Sequence, residues 1–354
     1  MINKDRITLI GLPPSPYTRK MIALLRYRQI PYQVIWGSPH DTFKNKGIFN
    51  DLGIEAPKPA LLPTFILPND KGGFETVTDS TPIIRRLEDD FKKRSVIPEN
   101  PALCFLNYLL EDFGDEWVTK YMFHYRWHFD EDADNASSIL PLHNKVDLAD
   151  DAWQLFKDSI GSRQIERLRV VGSNDVTAPI IEKSYKRFLK IMENHLSNFP
   201  FLFGYRPSSA DFAIYGQLTQ LIGLDPTSRA IAHKLSLRTT AWVDNMEDMS
   251  GLNPNENPWE TFETLSENMK PILEEIGRAY VPALLANSRA IENGEEVWET
   301  EIDGSKWSQN TFNYQAKCLQ WINAEFFSLS SDDQKRILDL FNGTGCEKLL
   351  IKEQ

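Results

Sequence analysis

From Ile7 the chain is apolar through Leu9 and Ile10, with Thr8 between, and breaks at Gly11 and a proline cluster. That pattern predicts a short strand. Just past Ser15-Pro16 the period changes: Met21, Leu24, Leu25 and Tyr27 fall on one face of a helix. Serine followed by proline is a helix start, because serine can cap an orphan N–H and proline at the first helical position loses nothing. Ile30-Pro31 ends this run, and Tyr32–Trp36 predicts a second strand. Gly37 to Lys58 is polar and punctuated by Gly and Pro, with a weak helical patch near Phe43–Leu52. The apolar stretch Ala60–Leu67 carries Pro63 directly before a strand, where a proline is often cis. Pro68–Gly73 reads as a hairpin loop and Glu75–Thr78 as its return strand. Asp79-Ser80-Thr81-Pro82 then opens a helix with Ile83, Ile84 and Leu87 on its apolar face, which places Asp79 and Ser80 at a positive helix end.

The second half reads differently. Phe91 to Pro101 is a charged, proline-bounded linker, after which Phe105, Tyr108, Phe113, Trp117, Tyr121, His124 and Tyr125 form an aromatic helical stripe. Phe105 and Phe113 are expected in a core. Tyr121 and Tyr125 have hydroxyls that want a partner and are expected nearer a cleft. His124 and His128, four apart, make half a metal site; no third ligand has compelling spacing, and Asp130 to Asp134 reads as a solvated acidic loop. Ser137–Asp151 reads as a loop, and Trp153–Val171 and Pro179–Leu196 as amphipathic helices. Ser208 and Asp211 form a capping box before the apolar run Phe212–Leu218. Beyond Trp242, helical stretches (Trp259–Arg289, Phe312–Phe327, Asp332–Leu340) flank a strand and turn at Val297–Gly304. This last hundred residues is too apolar to be a disordered tail. It either covers a cleft or forms a subunit contact, and the sequence does not choose.

A chain of 354 residues with 41% hydrophobic content has ample material for two or more domains. The net charge of -11 argues against a nucleic-acid partner. No apolar run reaches membrane-spanning length, and Met1–Asp5 has no signal-like hydrophobic region. Cys104, Cys318 and Cys346 are odd in number and far apart, which suggests a reducing, cytoplasmic setting without a disulfide framework.

The order β-α-β, polar connection, β-β-α, with Ser15-Pro16-Tyr17-Thr18 after the first strand, Leu62-Pro63 before the third and Asp79-Ser80 opening the last helix, resembles the glutathione transferase N-terminal domain over roughly residues 6–94. The 203–215 stretch resembles the capping-box helix of that family's C-terminal domain. The resemblance implies an α+β thioredoxin-like N-terminal domain (1–94) followed by a mostly α-helical bundle domain (100–250), the glutathione transferase fold, with an ordered, mostly helical extension at 251–354. It also implies residue roles. Ser15 would face the glutathione sulfur. Leu62 and Pro63 would pair with its cysteinyl backbone like an added strand. Ser80 would donate to the γ-glutamyl carboxylate, with Asp79 near the ammonium. Tyr121, His124 and Tyr125 would line the electrophile's cleft. The glycyl carboxylate has no assigned partner, Lys58, Lys44 and Lys46 being the nearest cations in sequence.

Glutathione would thus be a co-substrate, with no metal, and the partner a small-molecule electrophile; a homodimer is a further expectation of the family. Neither Ser15 nor Thr18 can form a disulfide, so dithiol redox chemistry through this motif is excluded. One hydrogen bond from Ser15 to a thiolate, about 1.5–3 kcal/mol, would lower a thiol pKa by roughly one to two. From the residues alone, Ser15 and the Asp79-Ser80 pair also have a plain reading as helix caps. Two functions therefore stand foremost, a transferase or a non-catalytic binding or scaffold protein that keeps the fold, with glutathione-dependent reduction or lyase chemistry third because members doing disulfide exchange usually place Cys where Ser15 stands.

Overall fold

The computed structural model describes residues 6–45 and 53–350. Lys46 and the end of the 43–52 patch lie outside them. The first domain is a four-stranded sheet in the order β2-β1-β3-β4: β1 (Ile7–Gly11), β2 (Tyr32–Trp36), β3 (Thr64–Pro68) and β4 (Phe74–Val77). β1 and β2 are parallel, and β3 runs antiparallel to both β1 and β4. β1 is buried throughout, because Ile7 and Leu9 face the main core while Ile10 joins a smaller cluster with Ile54 and Ile66 on the other side.

Helix α1 (Pro16–Tyr27) begins at the Ser15 cap with Pro16 in its first turn, as its sequence requires. A short α2 (Pro39–Asn45) follows β2, and α3 (Ser80–Asp90) follows β4. The helical part starts with α4 (Pro101–Glu116) and α5 (Val118–Trp127), adjoining at Trp117. Next come α6 (Asp130–Asn144), α7 (Asp150–Glu166), the one-turn α8 (Leu168–Val171) and α9 (Ala178–His195). The loop expected over Ser137–Asp151 is therefore mostly helix. The supposed acidic loop is its first turn: Asp130, Glu131 and Asp132 sit where a helix N-terminus favours negative charge. Asp132 is fully buried there and accepts hydrogen bonds from the Thr227 N–H (2.9 Å) and hydroxyl (2.5 Å).

Helix α10 (Ser209–Gly223) carries the expected capping box between Ser208 and Asp211 and is the buried centre of the helical domain. It lies directly against α1. A Cβ added at Gly216 would come within 2.4 Å of the Pro16 carbonyl oxygen, so only glycine allows this approach. Helices α11 (Pro226–Leu235) and α12 (Leu237–Met246) complete the bundle.

The extension comprises α13 (Phe262–Glu275), a π-helical turn (Ile276–Tyr280), α14 (Val281–Glu292), the hairpin β5 (Val297–Ile302) and β6 (Ser305–Asn310), α15 (Asn313–Phe327) and α16 (Ser331–Phe341). It does not pack by itself. One continuous hydrophobic core runs from Ile7 to Leu350, with Phe105 of α4 meeting Phe326 and Phe341, and Trp117 meeting Trp307. Helices α15 and α16 thereby lie on α4, next to the start of α3.

Candidate functional site

The sheet register brings the three sequence motifs together. Ile10 stands opposite Thr64, and Phe65 opposite Val77. Continuing both registers places Gly11 and Asp79 on either side of Pro63. The loop into α1, the Leu62–Pro63 peptide (which is cis) and the start of α3 thus meet at one end of the sheet. Ser15 is half-buried, and its oxygen accepts the Thr18 N–H at 3.2 Å, so its own O–H remains a donor. The preceding loop is held from the helical domain: Gln220 donates to the Pro13 carbonyl and Arg126 to the Pro14 carbonyl, both at 3.2 Å. Arg126 is itself fixed by a buried pair with Asp225 at 2.9 Å.

At the other side of Pro63, Asp79 has φ 79°. A non-glycine residue held there costs about 1–3 kcal/mol, so its surroundings maintain it. Its carboxylate accepts the Thr81 N–H (3.4 Å) and the hydroxyl of Tyr314 (2.7 Å) from α15. Ser80 is buried, and its oxygen accepts from the Lys20 ammonium at 2.9 Å.

Lys20 is the hidden centre of this arrangement. One turn into α1 and fully buried, it also donates to Glu111 (2.8 Å) and Asp115 (2.6 Å) of α4. One ammonium cannot fully balance two buried carboxylates, and their surroundings separate them. Burial would push the Glu111 carboxyl up, but Lys20 and the hydroxyls of Ser209 and Thr81 outweigh it and hold it below its ordinary value. For Asp115 burial wins despite Lys20, and the charge on Glu111 adds to it, raising its carboxyl. Glu111 carries the charge and Asp115 is the member that takes up a proton. The cluster locks α1 and the start of α3 onto the helical domain while leaving the Ser80 O–H free to donate.

Beside it lies a cavity of about 310 Å³, lined by the start of α3 (Asp79 to Arg85), by Tyr108 and Asp112 of α4, and by Tyr314, Trp321 and Glu325 of α15. The extension therefore forms one wall of the space next to Asp79.

Residues 9–95 match the family described as glutathione S-transferase, N-terminal domain. The first domain is a glutathione transferase-type thioredoxin domain. Comparison with curated proteins finds no match. Among solved structures, similar chains include a glutathione transferase family member from Pseudomonas fluorescens pf-5 with two glutathione bound (16% identity, 70% of this chain and 88% of that one, TM-score 0.41). A Tau class glutathione S-transferase from mango, Mangifera indica, shares 14% identity over 72% of this chain and 96% of its own, TM-score 0.41. Beta-etherase LigF from Sphingobium sp. strain SYK-6 shares 15% over 68% and 94%, TM-score 0.45.

Within this transferase-type arrangement, the residues expected to line an electrophile cleft do not reach the cavity. Tyr121, His124 and Tyr125 are fully buried in the helical core. The Tyr121 hydroxyl is satisfied by Ser184 (2.6 Å) and Trp117 (2.9 Å), and its ring packs on Tyr185 and Phe188. His124 Nδ1 bonds Ser173 at 2.8 Å, and burial, with His128 stacked on it, pushes its pKa down to about 3. The expectation is corrected accordingly: Tyr121, His124 and Tyr125 belong to the core, and it is Tyr108, earlier in the stripe, that lines the cavity. No group of three metal-ligating side chains occurs among the described residues. What sequence reading missed is the polar machinery, namely Lys20, Glu111, Asp115 and Tyr314. The available signal was Glu111-Asp112-Phe113-Gly114-Asp115-Glu116, four acids inside an otherwise apolar helix. Lys58 and Lys44 are both exposed.

Proposed function

We propose that this chain binds glutathione along the end of its first sheet and activates the thiol at Ser15 for attack on a small electrophile. The convergence of Ser15, cis-Leu62–Pro63 and Asp79-Ser80 at one sheet end carries this reading, because each supplies one kind of contact that a tripeptide needs. The Ser15 O–H and the positive end of α1 stabilise a thiolate. The Leu62 backbone pairs with the cysteinyl unit. The Ser80 O–H, its oxygen already fixed by Lys20, donates to the γ-glutamyl carboxylate, and Asp79 meets the ammonium. The thiol proton leaves to solvent, the sulfur bonds to the electrophilic carbon, and the leaving group departs with the bonding pair. No covalent enzyme intermediate is needed, so positioning and a lowered thiol pKa supply the rate. That glutathione serves here as co-substrate, in a cytoplasmic protein, is part of the same proposal.

Calorimetric titration of the full chain with glutathione tests binding, and a panel of electrophiles tests turnover. Ser15→Ala should abolish conjugation while glutathione still binds. Absence of any heat of binding at millimolar glutathione overturns the reading. One observation favours the non-catalytic alternative: Tyr314 already donates to the Asp79 carboxylate, occupying an acceptor that an incoming ammonium would use. Glutathione binding without turnover of any electrophile would establish that alternative.

A further inference from the structure

A second cavity, of about 320 Å³, lies wholly within the C-terminal extension, between α14, β5 and the 3-10 turn Cys346–Leu350. Pro282, Leu285, Ala286, Arg289 and Asn293 line it at helical spacing, so one face of α14 forms a wall. Pro282, Leu285 and Ala286 stay only half-buried on that face, which leaves apolar surface open to the hollow. Trp298 of β5 contributes a buried aromatic ring, and the 3-10 turn contributes Lys348. Glycine admits that turn to its place: a Cβ added at Gly277, also in the lining, would stand 2.1 Å from the Thr344 carbonyl oxygen.

The acids of this region are engaged and the donors are not. Glu299 stands 3.1 Å from Lys306 across the hairpin, and Glu295 accepts from the Asn293 amide at 3.3 Å. Nearby, Glu347 accepts the Gly345 N–H and Glu292 accepts the Ser288 hydroxyl. Arg289 and Lys348, the two cations of the lining, make no ion pair and no side-chain hydrogen bond among the described residues. The indole N–H of Trp298 likewise has no acceptor there, although the side chain is fully buried. Its stacked neighbour Trp307, inclined by 8°, does donate, to Gln309 at 3.2 Å. A buried donor without an acceptor is costly and rare in folded proteins, so the vacancy at Trp298 calls for a partner.

Three unmatched donors, two of them cationic, beside an open apolar face are complementary to one ligand chemistry. We propose that this cavity binds a small organic carboxylate. Arg289 and Lys348 hold the anion, the Trp298 N–H is a third donor, and the Leu285–Ala286 face covers the hydrocarbon part. At about 320 Å³ the space is at the lower end for small-molecule sites, so the ligand is compact. Ser15, Leu62, Pro63, Asp79 and Ser80 do not line it, so the site stands apart from the glutathione reading.

The probe is phenylacetate, titrated into the full chain by calorimetry. Phenylacetamide keeps its shape without the charge, and acetate keeps the charge without the ring. Phenylacetate should bind at least about tenfold more tightly than either. Arg289→Gln and Lys348→Gln should each weaken it about tenfold, and Trp298→Phe, which keeps a ring and loses the donor, about threefold. Ala286→Phe fills the hollow without removing a charge and should abolish binding. Arg289 and Lys348 are exposed and unpaired, so folding should survive their replacement, and circular dichroism checks it. Absence of binding at millimolar phenylacetate, or equal binding of acid and amide, overturns the proposal. So does affinity unchanged in both Arg289→Gln and Lys348→Gln. Binding of acetate as tight as that of phenylacetate and untouched by Ala286→Phe also overturns it, by marking a diffuse positive surface. Displacement of phenylacetate by glutathione with no effect of Arg289→Gln does the same, by placing the probe in the first domain. Failure of glutathione to bind bears only on the Ser15 reading.

Discussion

Replacing Lys20 by methionine tests the buried cluster that joins the two domains. Methionine has nearly the same length and no charge, so the change leaves little cavity and isolates the electrostatics. In the wild type the ammonium holds Glu111 ionised, with hydrogen bonds at 2.8 Å to Glu111, 2.6 Å to Asp115 and 2.9 Å to Ser80. Without it Glu111 must either stay charged and buried or take up a proton. Its ordinary value is near 4.5, so protonation at about pH 7 costs roughly 3 kcal/mol, at about 1.4 kcal/mol per pH unit. Asp115, whose carboxyl is already raised, adds little, because the folded protein readily protonates it. The lost hydrogen bond to Ser80 brings the expected destabilisation to about 3–5 kcal/mol, the range for breaking a buried pair. The cost should shrink by roughly 2 kcal/mol at about pH 5, where the proton is nearly free. Adding Glu111→Gln should recover a substantial part of it. Urea unfolding of the wild type, Lys20→Met, Glu111→Gln and the double variant at both pH values measures this directly. A loss under about 1 kcal/mol, or one independent of pH, would refute a charged Lys20–Glu111 pair as the joint between the domains.

Other expectations follow from single contacts. Tyr314→Phe keeps the ring and removes the donor on Asp79, so glutathione affinity measured by calorimetry should rise about threefold to tenfold; unchanged affinity would mean that no ammonium reaches Asp79. Burial, with Asp112 and Asp115 nearby, pushes the Glu116 carboxyl up to about 8. A carboxyl raised on folding contributes stability below its unfolded value that is lost as pH rises through the folded one. From about pH 5 to pH 9, Glu116→Gln should therefore gain on the wild type by roughly 2–4 kcal/mol in chemical unfolding. Ser208→Ala removes the capping box of α10 and should cost about 0.5–2 kcal/mol, read as a lower Tm without loss of glutathione binding.

What the amino-acid order determined by itself are features set by near neighbours. Ser15-Pro16, Asp79 before Ser80 and the Ser208–Asp211 box mark helix starts because capping is settled within one turn. Pro68 to Gly73 marks a hairpin because turn chemistry is local. Those signals, in their order, were enough to read the thioredoxin-like domain, its sheet and most helices of the extension. Where locality misled, distant partners were responsible. Asp130 to Asp132 looked like a solvated loop because nothing nearby announces that Asp132 is buried against Thr227. Helical spacing showed that Tyr121, His124 and Tyr125 share a face, but periodicity does not say whether that face meets a cleft or another helix. Only the tertiary structure placed the Lys20 ammonium between two carboxylates 91 and 95 positions away and set Tyr314 on Asp79 across 235 residues. Such contacts depend on how whole helices dock. A buried charge is tolerated only where docking brings its partner, and no single stretch of chain contains both.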